Sequence, residues 1–139
     1  AVWEQEQNAD SLILAADTIV YDGQLVLGKP RGAEYALRML KSLSGHTHQV
    51  MTAVAMISEG EIESFVSITN VHFYPWDSGQ KAAALASIRS GSAMDKAGAY
   101  GIQDSAALLV EKIEGDYNTV VGLPLAEVYR RLSAKGIFP

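Results

Sequence analysis

Apolar residues recur along the 139-residue chain with two different periods. From Ala33 to Leu43, the positions Ala33, Ala36, Leu37, Leu40 and Leu43 share one helical face. Ser44-Gly45 then supplies a small-residue stop. Upstream, the unbroken run Leu12–Ala16 predicts a buried strand of the kind found in parallel or mixed sheets. Asp22-Gly23 marks a turn before the short apolar piece Leu25-Val26-Leu27. Gln49–Ser58 and Ile62–Tyr74 read as two long strands joined by a hairpin turn at Glu59-Gly60-Glu61. Asp77-Ser78 is placed to cap a helix that runs to about Arg89, with Ala83, Leu85, Ala86 and Ile88 as its apolar content. A Gly/Ala-rich segment follows at Gly91–Gly101, and Ala107–Ile113 is a further strand candidate. Glu114–Thr119 reads as a polar turn, and the apolar residues from Val120 as a short strand leading into a helix. Pro124 starts that last helix and Lys135-Gly136 ends it. Residues 1–9 resemble the end of a polar helix. No repeat or linker interrupts this order, which predicts one α/β domain over 1–139 with a partly antiparallel, strongly twisted sheet.

Composition narrows the class. Hydrophobic residues make up 48% and charged residues 19% of the chain, as in an ordinary globular protein. A single domain of this length buries roughly 70% of its unfolded surface. The net charge of −5 offers no general attraction to nucleic acid or to anionic membranes, so neither is expected as a partner. A polyphosphate ligand must instead be held by a few local cations, with a divalent metal. Cysteine is absent, which excludes disulfides and thiolate metal sites and fits a reducing compartment. No apolar run is long enough to span a bilayer, and Ala1–Glu6 lacks the basic and apolar regions of a signal peptide. The cytoplasm is the expected location. Because the first residue is not Met, the chain is read as processed or as a fragment.

Four segments carry candidate chemistry. In Ala15-Ala16-Asp17-Thr18, a carboxylate follows directly on an apolar run, where burying an unpaired charge is costly. Asp17 therefore either lies in a turn at the strand's end, bonded to nearby amides, or stands at the carboxyl end of a strand, where open α/β sheets build their sites. In Leu27-Gly28-Lys29-Pro30, the proline holds Lys29 extended and Gly28 permits close approach, so the ammonium is presented either to a phosphate or to solvent. The spacing is not that of a P-loop. In Asp95–Gln103, small residues leave room for a ligand or a neighbouring strand; Lys96 supplies charge, and the Gln103 amide can both donate and accept. Glu114–Leu125 reads mostly as scaffold. His46 and His48 are two apart and could share a strand face, but His72 is the only other histidine, which argues against zinc. No nucleophile elbow is present, and the aromatics are too scattered for a nucleic-acid platform.

Taken in order, Ala16-Asp17-Thr18, Leu27-Gly28-Lys29-Pro30, Leu43-Ser44-Gly45…His48…Val50…Thr52-Ala53-Val54, Asp95–Gln103 and Gly115-Asp116-Tyr117…Val121-Gly122-Leu123-Pro124 resemble the Maf family of nucleotide pyrophosphatases over nearly the whole chain. The resemblance implies a fold related to inosine triphosphate pyrophosphatase, a twisted mixed sheet flanked by helices with a cleft between two lobes. It implies hydrolysis of a nucleoside triphosphate to monophosphate and pyrophosphate with Mg²⁺ or Mn²⁺, in a homodimer. Asp17 matches the family's general base, and aspartate is a weak base at neutral pH, which is a further reason to expect a metal. Lys29 matches a phosphate-binding lysine, with Lys96 expected to assist. Thr18 and Gln103 match positions that separate subfamilies, and their pairing here resembles the branch acting on dTTP and UTP. The family opens with a Ser-x-Ser-Pro-Arg-Arg motif, a glutamate and a helix lysine, none of which occurs here, so the domain is expected to be N-terminally incomplete. The competing expectation is a nucleotide-binding regulator linked to arrest of cell division, which binds without hydrolysing.

Overall fold

Residues 47 to 58 alternate almost strictly between outward and inward side chains, with His48, Val50, Thr52, Val54 and Met56 all buried. That period of two makes β3 (Thr47–Ser58) the centre of the sheet. The structure, a computed structural model, describes residues 11–139. The polar helix expected over residues 1–9 lies outside them.

Around β3 the chain adds β1 (Leu12–Tyr21), β2 (Val26–Leu27), β4 (Glu61–Phe73) and β5 (Val110–Glu114). The sheet order is β2-β1-β3-β4-β5, and all four pairings are antiparallel. The α/β class and the flanking helices are as expected. Parallel neighbours do not occur among the described residues. At the β3–β4 hairpin, Glu59 (φ 51°) and Gly60 (φ 78°) are both left-handed, which matches the turn to the twist of the two strands.

The helices are α1 (Ala33–Leu43), α2 (Ser78–Arg89), α3 (Tyr117–Val121) and α4 (Leu125–Ala134). Helix α1 has the bounds its periodicity predicted and buries Ala36, Leu40 and Leu43. Asp77 caps α2 by accepting from Gln80 N at 2.8 Å. Together α1 and α2 enclose the main core, built from Leu40, Leu43, Val50, Val71, Phe73 and Leu109. Burying each such side chain contributes roughly 1.5–3 kcal/mol. A smaller cluster of Val54, Met56 and Val128 joins α4 to the far end of the sheet. There Arg131 bonds Glu63 at 2.9 Å, and its guanidinium lies 4.1 Å from the Phe65 ring centroid. No helix among the described residues is long and apolar enough to cross a membrane.

Three expectations need correction. Leu12–Ala16 is not a buried strand. It is the first half of a ten-residue strand, and Leu14, Ala15, Ala16 and Asp17 are exposed. The β-branched run Thr18-Ile19-Val20 carries the strand past the carboxylate. Ala107–Ile113 is not one strand, because a 3-10 turn over Ser105–Leu109, capped by Asp104, takes its first half. Val120-Val121 are helical, not extended: Asp116 accepts from Thr119 N at 2.8 Å and so starts α3 at Tyr117, three residues earlier.

Candidate active site

Asp17 sits in the middle of β1, opposite Ala53 of β3, and not at the end of a strand or in a turn. Both placements expected from the sequence are thus overturned, although one element of the turn reading survives: Oδ1 accepts from Thr18 N at 3.0 Å. The exposure of Asp17 explains how a charge can follow an apolar run at little desolvation cost. Its neighbour Thr18 points to the helix-covered face and bonds Thr52 Oγ1 at 2.8 Å.

Beside these two residues lies a cleft of about 490 Å³. Its walls are β1 from Ala16 to Val20, the β2 exit from Val26 to Lys29, the segment from Asp95 to Gln103, and Val120-Val121 of α3. All five residues singled out from the sequence, Asp17, Thr18, Lys29, Lys96 and Gln103, line it. Segments as far apart in the chain as Ala16–Val20 and Val120-Val121 thus meet around a volume in the range of small-molecule sites. The expected sharing of a strand face by His46 and His48 fails, because β3 begins only at Thr47.

The walls are tied together by backbone. Gly98 N donates to Gly28 O at 3.2 Å, joining the Asp95–Gln103 segment to the Lys29 loop. Gly98 has φ +70°, and a Cβ there would meet Val20 Cγ1 at 3.1 Å, so glycine lets this segment rest directly on β1. Ala99 is also left-handed, at φ 67°, a strained conformation for alanine that turns Tyr100 inward. At Gly101 a Cβ would fall 2.6 Å from both Lys96 Cε and Asp104 Oδ2. The Lys96 stem passes through that space. Its ammonium donates to Ser92 O at 3.0 Å and lies 3.7 Å from Asp95 and 3.8 Å from Asp104. Lys29, in contrast, is exposed on the cleft wall.

Sequence reasoning gave no role to the polar residues beneath the cleft, although His48, Thr52 and Tyr100 stand among those that carry the family resemblance. Tyr100 lines it, and its hydroxyl lies 2.7 Å from His48 Nε2 inside an edge-to-face cluster with Phe73. Burial lowers the His48 pKa to about 4, so the ring is neutral near pH 7; nearby His72 lowers it further and Asp22 opposes. Burial also raises the Tyr100 pKa, which keeps the phenol protonated. The signal was present in the alternation of β3, which places His48 and Thr52 on the same inward face as Val50.

Among the described residues, no group of three or more His, Asp or Glu is placed to hold a metal ion. Asp95 and Asp104 both face Lys96. Asp17 is the carboxylate of the cleft without an ammonium beside it among the described residues.

The family model for Maf-like proteins matches residues 1–135. The chain belongs to the Maf-like family. Its curated relatives include a dTTP/UTP pyrophosphatase of Halalkalibacterium halodurans, 44% identical over 131 residues that cover 94% of this chain and 67% of the relative. The dTTP/UTP pyrophosphatase of Desulfotalea psychrophila is 49% identical over 126 residues, or 91% of this chain and 64% of the relative. That of Shigella dysenteriae is 49% identical over 128 residues, again 91% and 64%. This Maf-like chain therefore spans about two thirds of the length of these relatives.

Proposed function

We propose that the cleft binds a pyrimidine nucleoside triphosphate, dTTP or UTP, and hydrolyses it to the monophosphate and pyrophosphate. The observation that carries this reading is the convergence on a single cleft of a Maf-like chain of two lysines, one amide and a carboxylate that has no ammonium beside it among the described residues. The names of its relatives supply the substrate class. In this reaction Asp17 orients a water molecule. Oδ1 is occupied by Thr18 N–H, which fixes the carboxylate and leaves Oδ2 to accept the water's proton. The water oxygen bonds to the α-phosphorus, the bond from that phosphorus to the α–β bridging oxygen breaks, and pyrophosphate leaves with the bond's electron pair. Lys29 offsets charge on the leaving phosphates. Lys96, held by Ser92 O and weakly by two carboxylates, exchanges those partners for phosphate oxygen as substrate enters.

A divalent cation fits this residue set. Magnesium and manganese keep most of their sites filled by phosphate and water oxygens, and Asp17 would hold such an ion through the water that it orients. Such an ion would neutralise phosphate charge and acidify nearby water. The same reading assigns the protein to the cytoplasm, as a homodimer.

Replacing Asp17 with Asn is the test. Turnover of UTP falls by at least ~100-fold, the contribution typical of a general base, while the melting temperature stays near that of the unaltered protein. An Asp17→Asn protein that retains its turnover removes Asp17 from the chemistry. If the unaltered protein binds UTP and releases no pyrophosphate, the cleft belongs to a nucleotide-binding regulator.

A further inference from the structure

A chain of hydroxyl groups leads from the cleft wall into the sheet. Thr18 Oγ1 lies 2.8 Å from Thr52 Oγ1, and Thr52 Oγ1 donates to the carbonyl oxygen of Thr119 at 2.8 Å. Thr52 and Thr119 are wholly buried. The Thr119 carbonyl is open to Thr52 because the two amides that follow α3, those of Gly122 and Leu123, both bond Asn118 O. Helix α3 is itself held in place. Thr119 donates through N and Oγ1 to Asp116 Oδ2, at 2.8 and 2.9 Å, and Asp116 is fixed on Thr69 Oγ1 through its own N–H and carbonyl at 2.9 Å.

A hydroxyl carries one proton and two lone pairs. A carbonyl can only accept, so the Thr52 proton is committed to Thr119 O. The bond between Thr18 and Thr52 is then made with the proton of Thr18. What Thr18 turns to the cleft is therefore lone pairs alone. Gln103 stands on the same cleft and is exposed. Its amide can rotate to present either a donor or an acceptor, so it cannot by itself tell bases apart. Thr18 cannot make that change.

We infer that Thr52, backed by the Thr119 carbonyl, fixes Thr18 as a hydrogen-bond acceptor and thereby selects nucleobases that carry an N–H at the matching edge. Uracil and thymine carry such a donor at N3. Cytosine has a lone pair there, which would face the lone pairs of Thr18. This inference rests on the cleft being the triphosphate site proposed above, and it makes Thr52 a positioning residue that acts through Thr18. Sites built around a committed hydrogen bond reject analogues that lack the partner by as much as ~10⁴–10⁵.

The test compares kcat/KM for UTP, CTP and the triphosphate of 3-methyluridine, in which the N3 donor is lost. In the unaltered protein UTP exceeds both others by at least ~10-fold. Thr52→Val frees the Thr18 proton to turn toward the cleft, and the CTP-to-UTP ratio rises at least ~10-fold. Thr52→Ser keeps the hydroxyl and restores the ratio of the unaltered protein, which loss of packing alone would not do. An unchanged ratio in Thr52→Val overturns the inference, as does turnover of the 3-methyl compound at the UTP rate, a readout that needs no variant. Failure of the underlying reading has a different signature: the unaltered protein then releases no pyrophosphate from any of the three, and the inference falls with it.

Discussion

Where α1 and α2 cover the sheet, the inward residues of β3 and β4 are His48, Val50, Val71 and Phe73, all buried. Along the first half of β1, Leu14, Ala15, Ala16 and Asp17 are exposed, and on the sheet's other face so are Val66 and Ile68, at 59% and 51%. The same strands thus pass from close-packed core to open surface within a few residues. Val20 belongs to the main core, whereas Ala16 and Leu14, further back on the same face of the strand, are exposed. The cleft lies on that border. A site placed there takes rigidity from the packed end and room for a ligand from the open end.

If the covered end supplies the rigidity, cutting it back has the larger cost. Leu40→Ala, which removes a fully buried side chain of α1, lowers stability by about 2–5 kcal/mol in urea unfolding. A loss below ~1 kcal/mol would break the comparison. The second expectation concerns protons. His48 has a folded pKa of about 4 against the ordinary 6.5, so the unfolded chain binds the extra proton between those values. Its contribution is fully present above pH 6.5 and is lost as the pH falls toward 4, by roughly 3 kcal/mol in total. His48→Gln flattens that part of the stability profile, and a profile of unchanged slope would show that the ring is not held neutral by burial. The smallest effect belongs to the open end. Leu14→Ala, at a residue already 40% exposed, changes stability by less than ~1 kcal/mol. A loss matching that of Leu40→Ala would mean that both ends are equally packed.

The same contrast explains what the sequence revealed. Helix α1, the β3–β4 hairpin, the Asp77 cap and the stop at Gly136 were legible because packing and turn geometry impose a period or a residue type on each. Burial in β1 was misread, since an apolar run does not say whether anything covers it. The start of α3 was hidden because Asp116 acts through its side chain on a backbone amide three residues away, which periodicity does not register. At the site, the five lining residues were legible as motifs, but their meeting in one cleft depends on the Gly28–Gly98 backbone bond. The roles of Thr52 and Thr119 were hidden for another reason. They come from proton direction, which exists only once α3 is laid across the sheet.

The central claim is that this cleft hydrolyses pyrimidine triphosphates. Pyrophosphate release by the protein at its natural length, with Mg²⁺ or Mn²⁺ and a panel of dTTP, UTP, CTP and purine triphosphates, tests it most directly. Release is expected chiefly from dTTP and UTP. Equal release across the panel, or release from purine triphosphates alone, would contradict it.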